Sequence, residues 1–302
     1  MKRLFTLTFF AFAALCAMTQ TLNVGSFNIR MHSKVDYKNG DGWTERREVM
    51  CDLVAFTAFD IFGAQEVCHD QLEYMLERLP EYDYIGVARD DGKKKGEYSP
   101  VFYRRDRFEL LDSGTFWLSE TPEKVSYGWD AACRRVCSWG YFKDKQTKRK
   151  FWFFNTHMDH KGKIARVEGA KLVISKIKQM CGKGAKVILT GDFNVAQDSP
   201  AYRTFAESGV LKDAFDLAPI KFAHTGTFNS FKVVNYTTRR IDHIFVSEVD
   251  VLRYGVLTYH YWSDNNGTDA TLNDAPTGLT AEHRGVHMHS DHYPVQVFVN
   301  LK

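Results

Sequence analysis

The sequence predicts an α+β fold in which two β-sheets pack face to face and helices cover their outer sides. Helical and strand patterns alternate over residues 22–80, and strand patterns joined by short polar loops follow over residues 82–154. The pattern alone leaves a single mixed sheet open as an alternative. With 302 residues and 44% hydrophobic content, the chain can bury one large core, and no linker or repeat divides it.

The elements of the first part begin with a strand over residues 22–29, where the apolar side chains alternate. A helix with one apolar face follows over residues 43–59, and the next strand covers residues 60–64. Asp70 is the expected N-cap of a second helix, and Pro80 closes it. Helix and strand therefore alternate here.

Strand patterns then follow at residues 84–87, 100–103, 108–111, 137–142 and 150–154. The charged loop 143–149 is the expected hairpin tip between the last two of these strands. A helix over residues 163–181 ends at Gly182, and a short buried strand over residues 186–189 comes next. The closing strands are expected at residues 241–246 and 294–299.

The N-terminal segment, residues 1–19, has the features of a secretory signal peptide. Lys2 and Arg3 precede an apolar run over residues 4–18, which is short for a membrane span, and small residues lead to a cut before Gln20. We therefore expect a single domain over residues 20–302, exported to the periplasm or outside the cell. Lipid anchoring at Cys16 is the secondary alternative, and no later segment is apolar enough to cross a membrane.

Charge and cysteine content exclude some classes of function. The formal charge of +3 loses Lys2 and Arg3 with the signal, which leaves about +1 and counts against non-specific nucleic-acid binding. The remaining cysteines lack the spacing of zinc ligands. Cys133 and Cys137 either pair or, as we favour, are buried thiols. We expect the domain to be a monomer.

Six stretches run from an apolar, strand-like segment into carboxylates, amides or imidazoles. They are residues 26–28, 65–66, 155–159, 191–194, 240–243 and 290–292. Burying such groups singly is costly, so we expect them to share one polar site at an edge of the core. Because the stretches contain hard oxygen ligands and no cysteine, they favour a magnesium-type ion and a metal-dependent phosphoester hydrolase.

The spacing within these stretches predicts which side chains point the same way. Side chains two residues apart on a strand share a face, so Asp192 and Asn194 face one direction, and so do His157 and Asp159. Asp291 and His292 are adjacent and would point in opposite directions on a regular strand. A bend at Ser290 would bring both into one site.

The six motifs, in order SFNIR, GAQEV, NTHMDH, LTGDFNV, RRIDHIFVS and SDHYPV, resemble those of the endonuclease/exonuclease/phosphatase superfamily. This superfamily includes deoxyribonucleases, deadenylases, neutral sphingomyelinases and inositol polyphosphate 5-phosphatases. The resemblance implies a four-layered α/β sandwich. It also implies a divalent ion, usually Mg²⁺ with Mn²⁺ as a substitute, bound by Glu66 with help from Asn28 and Asp291.

The same resemblance implies a role for each remaining motif residue. Asp192 and His292 would jointly orient and deprotonate the attacking water. Asn194 and His157 would donate hydrogen bonds to the phosphoryl oxygens. Asp242 would hold His292 in the required tautomer and raise its pKa.

Three further residues are candidate substrate contacts. Arg135 precedes a strand and could grip a second phosphate, although a surface charge is an alternative. Tyr98 falls where members of the superfamily place a residue over the substrate. Phe228 belongs to a polar segment, residues 224–231, that we expect at the rim of the site.

The leading hypothesis is an exported Mg²⁺-dependent phosphodiesterase or phosphomonoesterase whose substrate is a nucleic acid, a phospholipid head group or a small phosphorylated molecule. A deadenylase-like 3′-5′ exoribonuclease would need basic surface, for which residues 93–95 and Arg239 with Arg240 are the candidates. A sphingomyelinase-like phospholipase is a further alternative. An inactive binding module would tolerate loss of His157, Asp192 or His292, and a zinc hydrolase would use compact ligand motifs.

Overall fold

The computed structural model describes residues 21–263 and 285–302. The expected signal peptide and Cys16 lie outside the described residues. Among the helices within them, none has the length and hydropathy that crossing a bilayer requires.

The first part of the chain contains strands β1 (Leu22–Asn28), β2 (Ile61–Gln65), β3 (Tyr82–Ile85), β4 (Val101–Arg104), β5 (Phe108–Trp117), β6 (Val136–Asp144) and β7 (Lys150–His157), and helices α1 (Trp43–Thr57), α2 (His69–Arg78) and α3 (Lys163–Cys181). The second part contains strands β8 (Val187–Asp192), β9 (Lys212–Asp213), β10 (Ile220–Phe222), β11 (Asp242–Ser247), β12 (Val249–Val256), β13 (Tyr261–Ser263), β14 (Gly285–His287) and β15 (Val295–Leu301), and helices α4 (Pro200–Ala206) and α5 (Ala214–Leu217).

Two large mixed sheets form the centre of the fold. The first has the strand order β10-β12-β15-β1-β2-β4-β3, and the second has the order β5-β6-β7-β8-β11-β9. In the first sheet, β1 pairs antiparallel with β15 and parallel with β2. In the second, β8 lies between a parallel β7 and an antiparallel β11. The carboxyl ends of β1, β2, β7 and β8 carry four of the six polar motifs.

Three apolar cores separate four layers. The core between the sheets joins side chains such as Val24 of β1 with Phe153 of β7 and Ile188 of β8. A second core lies between the first sheet and α1 with α2, and a third lies between the second sheet and α3 with α4. Each fully buried large side chain contributes about 1.5–3 kcal/mol of transfer free energy. The predicted α+β sandwich is therefore confirmed, and the single mixed sheet is excluded.

The predicted helix over residues 163–181 matches α3, and the loop 143–149 is the turn between β6 and β7, as expected. The predicted N-cap of α2 is wrong. Cys68 is the N-cap, and its backbone N–H donates 2.9 Å to Oε1 of Gln71, so a glutamine side chain satisfies the first turn. Asp70 lies inside that turn.

The described cysteines are all free thiols, so the alternative of a bond between Cys133 and Cys137 is excluded in this structure. Cys137 is fully buried, and burial raises the pKa of its thiol. It therefore behaves as a small apolar side chain, as the sequence favoured.

Candidate active site

Three neighbouring strands of the second sheet place their polar residues side by side. His157 at the end of β7 is in register with Asp192 at the end of β8, and Asp242 at the start of β11 is in register with the same Asp192. All three side chains are at least nine-tenths buried. The strand pairing therefore gathers an imidazole and two carboxylates at one end of the sheet.

The first sheet supplies Asn28 from β1 and Glu66 from the residue that follows β2. Asn28 Nδ2 donates to Glu66 Oε1 at 3.2 Å and to Asp192 Oδ2 at 3.0 Å. Glu66 has a left-handed backbone with φ of +61°, which is uncommon for a residue with a side chain and turns it away from the course of the strand. Both sheets thus contribute to one site.

The predicted bend before β15 is present at residues 289–291. Ser290 Oγ donates to the backbone oxygen of Asn28 at 2.6 Å and accepts from the backbone N–H of His292 at 3.3 Å. As a result, both neighbours of the bend face the site. Asp291 Oδ2 lies 3.7 Å from Nη1 of Arg30, and His292 Nε2 lies 3.5 Å from Asn28 Nδ2.

His292 and Asp242 form a buried pair. The Nδ1 atom of His292 lies 2.8 Å from Oδ2 of Asp242, and its Nε2 atom lies 3.8 Å from Oδ2 of Asp192. Burial alone would lower the pKa of His292, but the carboxylates of Asp242 and Asp192 outweigh burial and hold that pKa well above its usual value. The imidazole of His292 is therefore held in its protonated form beside the carboxylate of Asp192.

Burial, reinforced by repulsion from Asp242, raises the pKa of Asp192 to about 7. Its Oδ1 accepts 2.8 Å from the backbone N–H of Asn194. Asn194 also has a left-handed backbone, with φ of +51°, and its Nδ2 lies 3.0 Å from His157 Nε2. Burial lowers the pKa of His157 well below its usual value, so this imidazole is neutral.

Comparison with known proteins agrees with this arrangement of motifs. The profile of the Endonuclease/Exonuclease/phosphatase family matches residues 21–292. The chain belongs to this family. Members of the family are hydrolases that act on phosphoesters, and this chain shares their fold.

Two solved structures from Bacteroides thetaiotaomicron are similar over almost their whole lengths. One is an endonuclease/exonuclease/phosphatase family protein, 47% identical with a TM-score of 0.86, covering 94% of this chain and 96% of that chain. The other is a mannosyl-6-phosphatase, 48% identical with a TM-score of 0.84, covering 92% of this chain and 99% of that chain.

A more distant relative is nocturnin of Xenopus laevis, which is 23% identical over 223 residues. That match covers 68% of this chain but only 55% of nocturnin.

Enzymes of this family generally use divalent metals, and the residues here fit such an ion. Ligand atoms of Glu66, His157 and Asp192 lie within 4.8 Å of one another, and so do those of Asp192, Asp242 and His292. Oδ1 of Asp242 is buried without a hydrogen-bond partner among the residues that the structure describes. Clustered carboxylates with an unsatisfied oxygen suit a hard cation.

Of the predicted ligands, Asn28, Glu66 and Asp291 all lie at this site. Burial, followed by repulsion from Glu66, raises the pKa of Asp291. Arg30, which sequence reasoning did not single out although it belongs to the SFNIR motif, contacts both carboxylates at 4.0 Å and 3.7 Å. A guanidinium thus partly compensates the acidic cluster.

Sequence reasoning also missed Glu97. Its Oε2 atom lies 3.8 Å from Nδ1 of His157 and accepts 2.7 Å from Arg89. The adjacent Tyr98, one of the three predicted substrate contacts, is only 2% exposed, and its hydroxyl donates to the backbone oxygen of Lys93 at 2.9 Å. This burial does not fit stacking on a substrate, and Glu97 is the neighbour that faces the site.

Arg135 is buried, so it is not a surface charge. Its Nε lies 3.4 Å from Oδ2 of Asp159, its Nη1 lies 3.9 Å from Oε2 of Glu97, and Nη1 has no hydrogen-bond partner within the described part of the chain. Asp159 accepts backbone N–H groups of the loop that follows β7, including that of Gly162 at 2.7 Å. Its role is to hold that loop.

Phe228 lies at the rim, as expected for its segment. Its side chain is 41% exposed, and its ring meets that of His292 edge-on, with centroids 5.1 Å apart. Arg240, one of the basic candidates for a nuclease surface, is instead buried in an ion pair of 3.0 Å with Asp213. It is therefore not available to track a phosphate backbone.

Proposed function

We propose that this chain is a divalent-metal-dependent phosphomonoesterase whose substrate is a phosphorylated sugar. The reaction class rests on the buried constellation in which Asp192 contacts Asn28, Asn194 and the two imidazoles. The observation that carries the substrate class is the 48% identity to a mannosyl-6-phosphatase over 92% of this chain. A sugar 6-phosphate is a small phosphorylated molecule with one phosphate on a primary hydroxyl.

Attack on the phosphorus needs a water that loses its proton. Asp192, with a pKa near 7, accepts that proton near neutral pH, and His292 presents Nε2 on the same side of the site. Asp242 fixes the ring of His292 through Nδ1. The pair of Asp192 and His292 thus orients the water and holds its proton.

Charge on the phosphoryl oxygens must be stabilised as the bond to the leaving oxygen breaks. Asn194 Nδ2 donates to Nε2 of the neutral His157 at the strand ends, and we assign this hydrogen-bonded pair to the phosphoryl oxygens. Glu66, with Asn28 and Asp291, would hold the divalent cation, Mg²⁺ or Mn²⁺. When bound, the cation supplies further positive charge to the phosphoryl group.

The remaining assignments concern the rim of the site and the N-terminal segment. We assign Phe228, which is exposed beside His292, to the leaving group, and the buried Nη1 of Arg135 to an anionic group of the substrate. Residues 1–19 support export to the periplasm or outside the cell. We propose that the exported domain acts as a monomer.

A substrate panel tests this function. The purified protein is assayed with Mg²⁺ and with chelator against mannose 6-phosphate, inositol phosphates, sphingomyelin, single-stranded RNA and DNA. We expect metal-dependent release of phosphate from mannose 6-phosphate. Turnover of RNA alone would favour the deadenylase-like alternative, and turnover of sphingomyelin alone would favour a phospholipase. Silence toward every substrate, with the metal bound, would indicate an inactive binding module.

A further inference from the structure

Arg46 is a buried cation that is not among the groups assigned to the reaction. It lies in helix α1, its side chain is 0% exposed, and it is one of the largest fully buried side chains in the described part of the chain. Burying a charge is costly unless its hydrogen-bonding groups are satisfied. The partners of this guanidinium therefore indicate what its burial achieves.

The partners of Arg46 are backbone oxygens. Nη1 donates to the oxygen of Ile29 at 2.5 Å and to that of His289 at 3.1 Å, and Nη2 donates to the oxygen of Arg30 at 2.7 Å. Nε donates to the oxygen of Asp41 at 3.0 Å. All the hydrogen bonds that the guanidinium makes within the described residues thus go to the main chain.

Three of these bonds go to the two turns that carry assigned metal ligands. We call residues 28–31, which follow β1, the β1 turn, and residues 289–291, which precede β15, the β15 bend. The β1 turn begins with Asn28, and the β15 bend ends with Asp291. Arg46 therefore bonds both turns at once. Its planar fork of donors suits this task, whereas a lysine would present a single ammonium group.

The β1 turn also sets the direction of Glu66. The backbone N–H of Met31 donates to Oε2 of Glu66 at 3.1 Å, and that of Arg30 donates to Oδ1 of Asn28 at 3.0 Å. Arg30 has a left-handed backbone with φ of +59°, a conformation that persists for a residue with a side chain only when its surroundings enforce it. The two bonds from Arg46 to this turn provide that constraint.

The surroundings keep the guanidinium charged and in place. Its Cζ atom lies 5.3 Å from the ring centroid of Trp43 and 5.8 Å from that of Phe231, within the range of cation–π contacts. Burial lowers the pKa of Arg46 to about 10, and the carboxylates of Asp291 and Asp36 oppose this shift. The side chain is therefore a cation at neutral pH, close enough to Asp291 to feel its charge.

We propose that Arg46 is a positioning residue for the divalent cation. It holds the β1 turn and the β15 bend so that the side chains of Asn28, Glu66 and Asp291 converge. It acts through the backbone of these turns and touches neither the ion nor the substrate. This inference rests on the proposed function, which assigns those three side chains to the cation.

Arg107 provides a matched comparison at the opposite end of the strands. It is 6% exposed, donates to the backbone oxygen of Thr21 at 3.2 Å, and pairs with Asp60 at 2.5 Å and Asp144 at 3.4 Å. Thr21 and Asp60 directly precede β1 and β2, whose other ends lead into the site. Loss of Arg107 should therefore lower stability and leave the site in place.

Direct titration with Mn²⁺, followed by calorimetry in the absence of substrate, tests this role. Arg46→Lys keeps the charge but loses the fork, so it should raise the Kd for Mn²⁺ about tenfold to a hundredfold. Arg107→Lys should lower the Tm but bind Mn²⁺ within about twofold of wild type, because it is remote from the ligands. Circular dichroism and thermal unfolding in chelator establish that each variant is folded at the temperature of the titration.

Two results would overturn the inference. One is an unchanged Mn²⁺ affinity in folded Arg46→Lys, and the other is an equal loss of affinity in Arg107→Lys. Should Arg46→Lys fail to fold, ¹H–¹⁵N spectra of the wild type decide. The Nε–H resonance of Arg46 should then move when Mg²⁺ is added, and a resonance that stays in place at saturating Mg²⁺ would contradict the role.

Hydrolysis of mannose 6-phosphate by the wild type is measured in parallel, so that the two proposals fail separately. If Mn²⁺ binds, Arg46→Lys weakens it and mannose 6-phosphate is not hydrolysed, the proposed function fails and the positioning role stands. If the sugar phosphate is hydrolysed and Arg46→Lys binds Mn²⁺ as tightly as the wild type, the role fails and the function stands. A wild type that binds no Mn²⁺ would overturn the role and the metal dependence together.

Discussion

Asn28 on β1 donates a hydrogen bond of 3.0 Å to Asp192 at the end of β8, and this bond joins the two sheets at the centre of the candidate active site. The same Nδ2 group donates to Glu66 at 3.2 Å. One amide therefore sets the position of a carboxylate from each sheet. Because Asn28 and Asp192 are both buried, the bond between them is shielded from solvent.

Asn28→Ala should lower kcat/KM by about a hundredfold or more, since it removes a group that orients two site carboxylates. It should also lower the free energy of unfolding by about 1–3 kcal/mol, because buried acceptors lose their donor. Steady-state kinetics and urea unfolding measure the two effects. Asn23→Ala on the same strand loses a bond of 2.7 Å to Thr57 and should reduce stability while the folded protein keeps its kcat/KM.

Asp192→Asn should abolish most of the activity, by several orders of magnitude, and yet leave the protein at least as stable. The charged carboxylate is disfavoured in the fold, because burial and Asp242 raise its pKa to about 7. Above that pH the folded state bears an ionised group that the unfolded state carries more easily. Thermal unfolding at pH 8 in chelator should therefore show an unchanged or higher Tm. Turnover near that of wild type would refute the assigned role.

Glu66→Gln should raise the Mg²⁺ concentration required for half-maximal activity, because an amide replaces the carboxylate assigned to the ion. The readout is a metal titration of the initial rate. Glu73→Gln is the control, since Glu73 is a carboxylate on α2 that is 66% exposed and should leave the titration unchanged. An unaltered metal requirement in Glu66→Gln would move the ion to a different set of ligands.

Gly63→Ala should destabilise the sandwich by about 1–3 kcal/mol or more. A Cβ at Gly63 would collide with the side chains of Asn155 and Thr190, which belong to the opposite sheet and hydrogen-bond each other at 3.0 Å. Urea unfolding measures the loss. Gly255→Ala is the comparison, because a Cβ on this strand residue meets its nearest neighbour at an ordinary 3.7 Å. Equal effects of the two variants would contradict the close approach of the sheets.

His289 should make stability depend on pH. Burial lowers its pKa to about 4, and the positive charges of His260 and Arg46 add to this effect, whereas a backbone hydrogen bond with Tyr259 opposes it. The unfolded chain takes up this proton below about pH 6.5 and the folded protein does not. This contribution to stability is therefore complete above about 6.5 and is lost as the pH falls toward 4.

Between pH 7.5 and pH 5 the wild type should consequently lose about 2 kcal/mol more unfolding free energy than His289→Gln. Urea unfolding of both proteins at the two pH values, in chelator, gives this difference. Parallel losses in the two proteins would show that His289 does not carry the effect.

Much of the fold could be predicted because the apolar periodicity and the helix- and strand-breaking residues indicate the same boundaries for the elements. The helix α3 is the best case, since its apolar positions repeat and Gly182 follows its last residue. Strand β8 was predicted too short because Thr190, Gly191 and Asp192 look like a loop, although pairing with β7 and β11 keeps them extended. Strand β12 went unpredicted, since its bulge between Val251 and Arg253 breaks the alternation.

At the candidate site, the directions in which side chains point were harder to predict than the strands that carry them. Alternation indicates that Glu97 and Tyr98 face opposite ways, but only the packed structure shows that the tyrosine enters the core and the glutamate meets His157. Arg240 looked like a surface cation because its buried partner, Asp213, is distant in sequence. Such pairings depend on tertiary contacts that no local pattern records.

The groups assigned to the reaction come from both sheets. The geometry of the site therefore depends on the relative position of the two sheets. A sideways slip of one sheet by less than the length of a hydrogen bond would separate Asn28 from Asp192 while each sheet kept its own ladder intact. Spectroscopic signals of secondary structure would not register such a slip. Turnover would fall first, so loss of activity under mild heating or low denaturant reports on the inter-sheet contact before the protein unfolds.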